Sequence, residues 1–597
     1  MLGAMTSSLR DRGPDEEGVW LAPHAALGHR RLSIIDREGG RQPMVAEEQG
    51  HPVAVLVYSG EVYNFRELRS ELASFGHVFH TRSDTEVVLR AWQQWGRGCP
   101  ERLEGMFAFA VWDVRQRELS LVRDRLGVKP LYYQATSSGL LFGSEPKAIL
   151  AHPRARAVMD EEGLREVLAF VRTPGRTPLK DLREVRPGHV LTVARGSTRE
   201  RPYWWLEARP HTDDLETTVR NVRALLEDSV TRQLVSDVPL CSLLSGGLDS
   251  SAVTALAHRA LATQGAGPVR SFSVDFEHHA RDFSPDVLRD TADAPFVADV
   301  ARHVGSDHAD IVLSSREMAA PSVREAVLRA RDLPESLGDM DSSIYLLFRA
   351  IRQHSTVALS GESADELFGG YAWFHDPHAV AASTFPWMAM LRRHGFDRRK
   401  TLPLAPALFQ RLALEEYTDA CYHRALEAVP RLEGESSRER RMREVGFLHL
   451  THWLPLLLDR KDRMSMATGL EVRVPFCDHR LVEYLFNVPW AMKTFDGREK
   501  SLLRAATADV LPRSVVERRK SPYPTTRDPS YAQALRLQFT ALLDDDQAPV
   551  RPLLDVERAR TLVRDPGTTT NPYSRSALEQ VLVLDTWLRR YEVQLPV

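Results

Sequence analysis

The seven residues Ser245-Gly246-Gly247-Leu248-Asp249-Ser250-Ser251 restrict what this chain can fold into more than any other stretch. They follow an apolar run, Val238 to Leu244, and precede a helix-like segment, Ala252 to Ala262. A strand, a glycine turn and a helix in that order gather backbone N–H groups around an anion. The serine hydroxyls add donors, and the glycines let backbone approach without a Cβ clash. Asp249 supplies the carboxylate that a phosphate-bound magnesium ion would need. An ordinary polar turn would account for the glycines, but not for Ser245, Asp249, Ser250 and Ser251 crowded into the same turn.

The surrounding pattern says which kind of sheet holds that turn. Val219, Val222, Leu225, Leu226 and Val230 recur at helical spacing. Then strands at 238–244, 269–276, 310–313 and 356–359 alternate with helices at 251–262, 296–304 and 344–352, which predicts a parallel, doubly wound sheet. From about Trp373 onward the chain reads mostly helical. The first part, to about Glu207, is strand-rich, with runs at 53–63, 106–114, 119–123 and 131–134 and one clear helix at 85–95. That pattern predicts stacked, largely antiparallel sheets. The polar, proline-bearing segment 201–214 is read as the link, giving domains at 1–207 and 208–597. At 597 residues the chain is too long for one ordinary core, so two or more domains are expected.

Charge narrows the partners. A formal charge of -3 gives no electrostatic case for nucleic acid or an anionic membrane. The basic clusters 438–443 and 518–520 are interrupted or short, and the first reads as a solvated helix face. No segment reaches the apolar length of a membrane span, and residues 1–15 lack a secretory apolar core, so the cytoplasm is the expected compartment. Cys99, Cys241, Cys421 and Cys477 are far apart, form no metal-spaced pairs and read as reduced, mostly buried thiols.

In a doubly wound sheet, ligands bind outside the carboxyl ends of the strands. A second motif occupies such an end: Ser360-Gly361-Glu362-Ser363-Ala364-Asp365-Glu366 follows the strand ending at Leu359. Both motifs should face one crevice and bring Asp249, Glu362 and Asp365 together. Their mutual repulsion calls for a cation, and their oxygens suit magnesium beside a triphosphate. The plainer reading of Asp365 and Glu366 is an acidic helix N-terminus. Lys500 is the best candidate for a positive partner, although a surface lysine is the more common case.

Ser245 to Ser251, Ser360 to Tyr371, Leu470 to Asp478 and Lys500 together resemble glutamine-dependent asparagine synthetases of the class B type. So do Gly28 to Asp36, Ser59 to Asn64 and Ser83 to Glu86. The resemblance runs in order over nearly the whole chain. It implies an αββα N-terminal-nucleophile hydrolase-like glutaminase domain followed by an ATP-pyrophosphatase synthetase domain with helical additions. It also implies that ATP adenylates the side-chain carboxylate of aspartate. The β-aspartyl-AMP and pyrophosphate follow, and ammonia from glutamine crosses an internal tunnel to attack the acyl adenylate. On this chain, Ser245, Gly246, Gly247, Asp249, Ser250 and Ser251 would hold the pyrophosphate, and Asp249 and Asp365 a magnesium ion. Leu243, Val274, Ser360 and Gly361 would contact the adenylate. Glu362 would be the general base and Lys500 the cation that stabilises adenylate formation. Ser363 stands where the family commonly has glycine. The family often forms dimers, so a homodimer is an expectation as well.

For glutamine, Arg31 would grip the substrate carboxylate, with Ser59, Gly60, Glu61 and Asp84 completing the pocket. Ser59 stands where the family often has an asparagine oxyanion donor. The family nucleophile is a cysteine at the mature N-terminus, whereas this sequence opens Met1-Leu2-Gly3-Ala4-Met5 and its first cysteine is Cys99. Two expectations follow: a start codon upstream, or an enzyme that uses free ammonia or another amine. Retention of Arg31, Gly60, Glu61 and Asp84 favours the first. In either case the 597-residue chain is not expected to hydrolyse glutamine by the family mechanism.

Two other functions fit parts of the sequence. β-Lactam synthetases and lasso-peptide cyclases share the architecture and activate a carboxylate with ATP without glutaminase chemistry. A non-catalytic sensor or scaffold for a nucleotide or amino acid is the other. Such a module would not require a base together with both metal carboxylates. The segment 464–478 resembles a family signature between the two sites; its apolar members read as core packing of a helix and turn. Arg473 within it reads as one half of an internal ion pair with an unidentified partner.

Overall fold

The computed structural model describes residues 1–137, 139–194, 196–277, 283, 285, 289–565 and 572–595. Its N-terminal half is built around a strand too apolar to alternate. A hairpin, β1 (Glu16–Ala22) and β2 (Ala25–Arg31), is followed by β3 (Met44–Glu48) and by β4 (His51–Val62). Val55 and Val57 of β4 face one core with Leu27, while Ala54, Leu56 and Tyr58 face another. A strand covered on both faces has no polar side to show, which is why 53–63 reads as one run. With β5 (Gly105–Asp113), β6 (Glu118–Arg123), β10 (His189–Ala194) and β11 (Ser197–Pro202) it forms an antiparallel six-stranded sheet, ordered β11-β10-β6-β5-β4-β3. The helices Phe65–Ser74 and Asp84–Trp95 cover one face. On the other lie the β1–β2 hairpin and a small sheet of β7 (Tyr132–Thr136), β8 (Gly139–Gly143) and β9 (Leu182–Glu184). The predicted helix 85–95 is present, but the helices Phe65–Ser74 and Glu161–Ala169 lie outside the expectation of a single one.

The chain leaves β11 at Pro202 and runs without regular structure to Asp214, the residue that caps the helix Leu215–Arg232. The proposed link 201–214 therefore begins inside a strand. Beyond it, β12 (Leu240–Leu243), β13 (Arg270–Phe276), β14 (Asp307–Leu313), β15 (Val357–Leu359) and β16 (Glu471–Arg473) form a wholly parallel sheet ordered β14-β13-β12-β15-β16. Two cores, one on each face, make it doubly wound. The direction of winding reverses at β12, so the crevice expected for a ligand opens between β12 and β15. The segment 464–478 differs from the expected helix and turn, because its middle is β16, the edge strand beside β15. Three residues are too few for alternation to show in sequence.

Buried ion pairs stitch the two halves together. Arg12 meets Asp462 at 2.6 Å, Arg172 meets Asp459 at 3.4 Å, and Lys129 lies 3.2 Å from Asp462 and 3.4 Å from Glu471. The partners missing for Arg473 are Glu61 at 3.1 Å and Glu471 at 3.0 Å. Arg441 and Arg443, expected on a solvated face, instead bond Tyr422 and Glu435. Cys99, Cys241 and Cys421 are buried and free, and Cys477 is half-buried and free. No described helix is long and apolar enough to cross a membrane.

Candidate active site

The loop after β12 arranges itself through its serines. Ser250 Oγ lies 2.9 Å from Ser245 Oγ and accepts a hydrogen bond from Ser245 N at 3.1 Å. Gly246 adopts φ +66°, and a Cβ there would fall 2.7 Å from Val297 N, so only glycine fits. Arg518 donates to the Gly246 carbonyl at 3.0 Å, with its guanidinium over the Phe296 ring, which fixes the turn from outside. The helix Leu248–Thr263 then begins at Gly247 without a side-chain cap, leaving its first N–H groups for an anion. Ser251 is fully buried behind the turn.

The loop after β15 comes in so close that a Cβ on Gly361 would lie 2.7 Å from Ser250 N and 2.9 Å from the Asp249 carbonyl carbon. Backbone touches backbone across the switch point. Leu243 ends β12, and with Val274 of β13 it packs on the core beneath the adjoining carboxyl edge. The serine–glycine loop and the loop at Gly361 thus meet at the switch point, with Leu243 and Val274 on the neighbouring strands β12 and β13.

The acids sort themselves into two groups. Asp249 and Asp365 both grip Lys500, whose Nζ stands 2.6 Å from a carboxylate oxygen of each. Lys500 is 2% exposed, so it is no surface lysine. It sits at φ +58° just before the helix Ser501–Thr507, a conformation that is strained for a side-chain-bearing residue. Gly370 leaves it room, since a Cβ there would lie 2.1 Å from Lys500 Cε. A second ammonium, Lys520, reaches Asp365 at 2.5 Å. Burial opposes ionisation of Asp365, but Lys500 and Lys520 outweigh it and hold its pKa at about 2. For Asp249 burial prevails and its pKa is raised, against the pull of Lys500. Glu362 stands apart and pairs with Lys461 at 2.7 Å. Glu366 is pushed up to about 8 by burial and by the nearby charges of Asp365 and Glu362, and Tyr371 donates to it at 2.6 Å. Ser363 lies at φ +81°, which is why glycine suits that position, and its hydroxyl meets Cys477 Sγ at 2.7 Å.

Among the described residues no cluster of three or more His, Cys, Asp or Glu side chains forms a metal cage. An oxygen-only pair such as Asp249 and Asp365 does fit magnesium, which takes one or two carboxylates and completes its shell with water and substrate phosphates.

A second site lies in the N-terminal half. Arg31, Ser59, Gly60, Glu61 and Asp84 line one cavity of about 880 Å³, together with β1–β2 residues and residues 1–12. Gly60 has φ +133°, and a Cβ there would lie 2.0 Å from the Met106 carbonyl oxygen. Asp84 accepts from Tyr58 Oη at 2.7 Å and Val62 N at 3.2 Å, and burial raises its pKa. Burial likewise lifts Glu61, against the pull of Arg473. Arg31 donates to Glu16 at 2.9 Å and to the carbonyls of Ile35, Asp36 and Arg37. The Arg31 guanidinium is thus already paired with Glu16.

Sequence reasoning missed Lys461, Lys520 and Arg518. For the last two a signal existed: three acids in one crevice need more than one cation, and 518–520 was the short basic cluster left without a role. Nothing in the sequence pointed to Lys461.

Residues 221–589 match the family model described as asparagine synthase, and residues 1–204 match the one described as glutamine amidotransferase domain. The chain is 41% identical over 600 residues to asparagine synthetase [glutamine-hydrolyzing] 3 of Bacillus subtilis (strain 168), covering 99% of this chain and 96% of the relative. It is 30% identical over 566 residues to asparagine synthetase [glutamine-hydrolyzing] 1 of that organism, covering 88% and 83%. With asparagine synthetase B [glutamine-hydrolyzing] of Escherichia coli (strain K12) it shares 28% identity over 546 residues, covering 90% and 81%.

Proposed function

The chain belongs to the asparagine synthetase family, and from that premise we propose how its two sites divide the work. The enzyme is an ATP-dependent carbon–nitrogen ligase that converts aspartate to asparagine through β-aspartyl-AMP, with AMP and pyrophosphate as the other products. The β-lactam-forming and sensor readings are not favoured.

In the crevice, Ser245, Gly246, Gly247, Ser250 and Ser251 with the open helix N-terminus hold the departing pyrophosphate. Leu243, Val274, Ser360 and Gly361 border the adenylate. Lys500 meets the negative charge that develops as the aspartate carboxylate attacks phosphorus. Asp249 and Asp365 would hold a magnesium ion, which would neutralise phosphate charge. Glu362 then takes the proton released as ammonia adds to the acyl carbon. The observation that carries this reading is Lys500 lying between two acids that come from different loops. Pyrophosphate release that requires both aspartate and magnesium tests it; release without aspartate, or none at all, overturns it.

Gly361→Ala is expected to force the two loops apart at the cost of about 1–3 kcal/mol, raising the ATP KM about tenfold or more. Steady-state kinetics at varied ATP check it. Nucleotide kinetics like those of the unaltered enzyme would mean that the loops do not stay in contact.

In the N-terminal cavity, Arg31 grips the glutamine carboxylate after Glu16 swings away, and Ser59, Gly60, Glu61 and Asp84 hold the rest.

A further inference from the structure

Lys461 belongs to none of the roles assigned so far. It sits on the helix Leu454–Met466, which follows the π-helical turn His449–Trp453, and its ammonium reaches into the crevice. There its Nζ lies 2.7 Å from Glu362 Oε2 and donates to Ser360 Oγ at 3.1 Å. Ser360 Oγ in turn accepts from Glu362 N at 3.3 Å. The lysine thus ties the carboxylate to the backbone of its own loop, and its side chain is only 13% exposed.

We infer that Lys461 is a positioning residue for amide formation, which aims the Glu362 carboxylate at the place where ammonia arrives. The inference deepens the proposed reading of the crevice and rests on it. In the step concerned, nitrogen bonds to the acyl carbon, the bond to AMP breaks, and the proton shed by nitrogen passes to Glu362. Among the charged groups named around Glu362, Lys461 is the cation in contact with it. Lys500 and Lys520 stand on Asp249 and Asp365.

The test follows two half-reactions in Lys461→Met and Lys461→Arg. Losing the ammonium frees the Glu362 carboxylate to turn, so in the Met variant amide formation should fall about tenfold or more beyond any change in aspartate-dependent pyrophosphate release, and Lys461→Arg should recover most of that loss. Equal loss in both half-reactions, or no rescue by arginine, would overturn the inference, because a lysine that only holds the helix in place would act so. If the unaltered enzyme releases no pyrophosphate with aspartate, the underlying reading of the crevice fails instead.

Discussion

Lys500→Met is expected to reduce aspartate-dependent pyrophosphate release by about 10²–10³-fold, the scale of removing one positioned donor from a site of developing charge. The effect is large because the lysine does two things at once. It separates Asp249 from Asp365, and in the proposed mechanism it also offers a charge to the transferring phosphate. Without it these buried carboxylates are left with Lys520 alone, and uncompensated buried charge of this kind costs about 3–5 kcal/mol. Acid sensitivity should change as well. In the unaltered protein the Asp365 pKa lies at about 2, below its ordinary value of 3.8. Its contribution to stability is therefore complete above the ordinary value and is lost as pH falls toward 2. The variant loses part of that contribution, so its acid unfolding midpoint should rise. Pyrophosphate assays and acid titrations followed by fluorescence measure the two effects separately. Loss of stability with release kept intact would mean that Lys500 holds the acids without serving the chemistry.

Arg473→Met should be the most destabilising single change outside the crevice. The guanidinium is fully buried, pairs with Glu61 and Glu471, and donates to the carbonyls of Gln233 and Val235 at 2.7 and 2.6 Å. Its own carbonyl accepts from Ser360 N at 2.9 Å. Removing the side chain strands Glu61, leaves Glu471 with Lys129 alone and frees two buried carbonyls, a loss of about 3–5 kcal/mol. Urea unfolding should show the midpoint shift. Adding Glu61→Gln should cost less in this background than alone, since the carboxylate it neutralises has already lost its partner. Strictly additive losses would show that Arg473 and Glu61 do not act as a pair.

The architecture was legible where local pattern and long-range structure coincide. The strand–turn–helix at 245–251 and its counterpart at 360–366 could be placed at strand ends because alternation of strands and helices marks a parallel sheet, and such sheets put their loops on one side. What escaped was whatever depends on a partner distant in sequence. β16 is three residues long, and its pairing with β15 spans more than a hundred residues. Lys461 and Lys520 look like ordinary helix and loop lysines until the fold aims them at Glu362 and Asp365. In the N-terminal half the helix Phe65–Ser74 was missed because its polar residues, Arg66, Glu67, Arg69 and Glu71, hide a narrow apolar stripe of Phe65, Leu68 and Leu72.

The distribution of charge along the crevice has a consequence for synthesis. Asp249, Glu362 and Asp365 all precede position 370, Lys461 follows them, and Lys500 and Lys520 come near the end of the segment that completes the site. A ribosome that has just passed residue 470 has therefore made every acid of the crevice and neither of the lysines that stand on Asp249 and Asp365. Until about 50 more residues emerge, these loops repel each other, and at the usual pace of elongation that interval lasts seconds. A chain at that stage carries Asp249 and Asp365 without the two ammonium groups that draw them together in the finished protein.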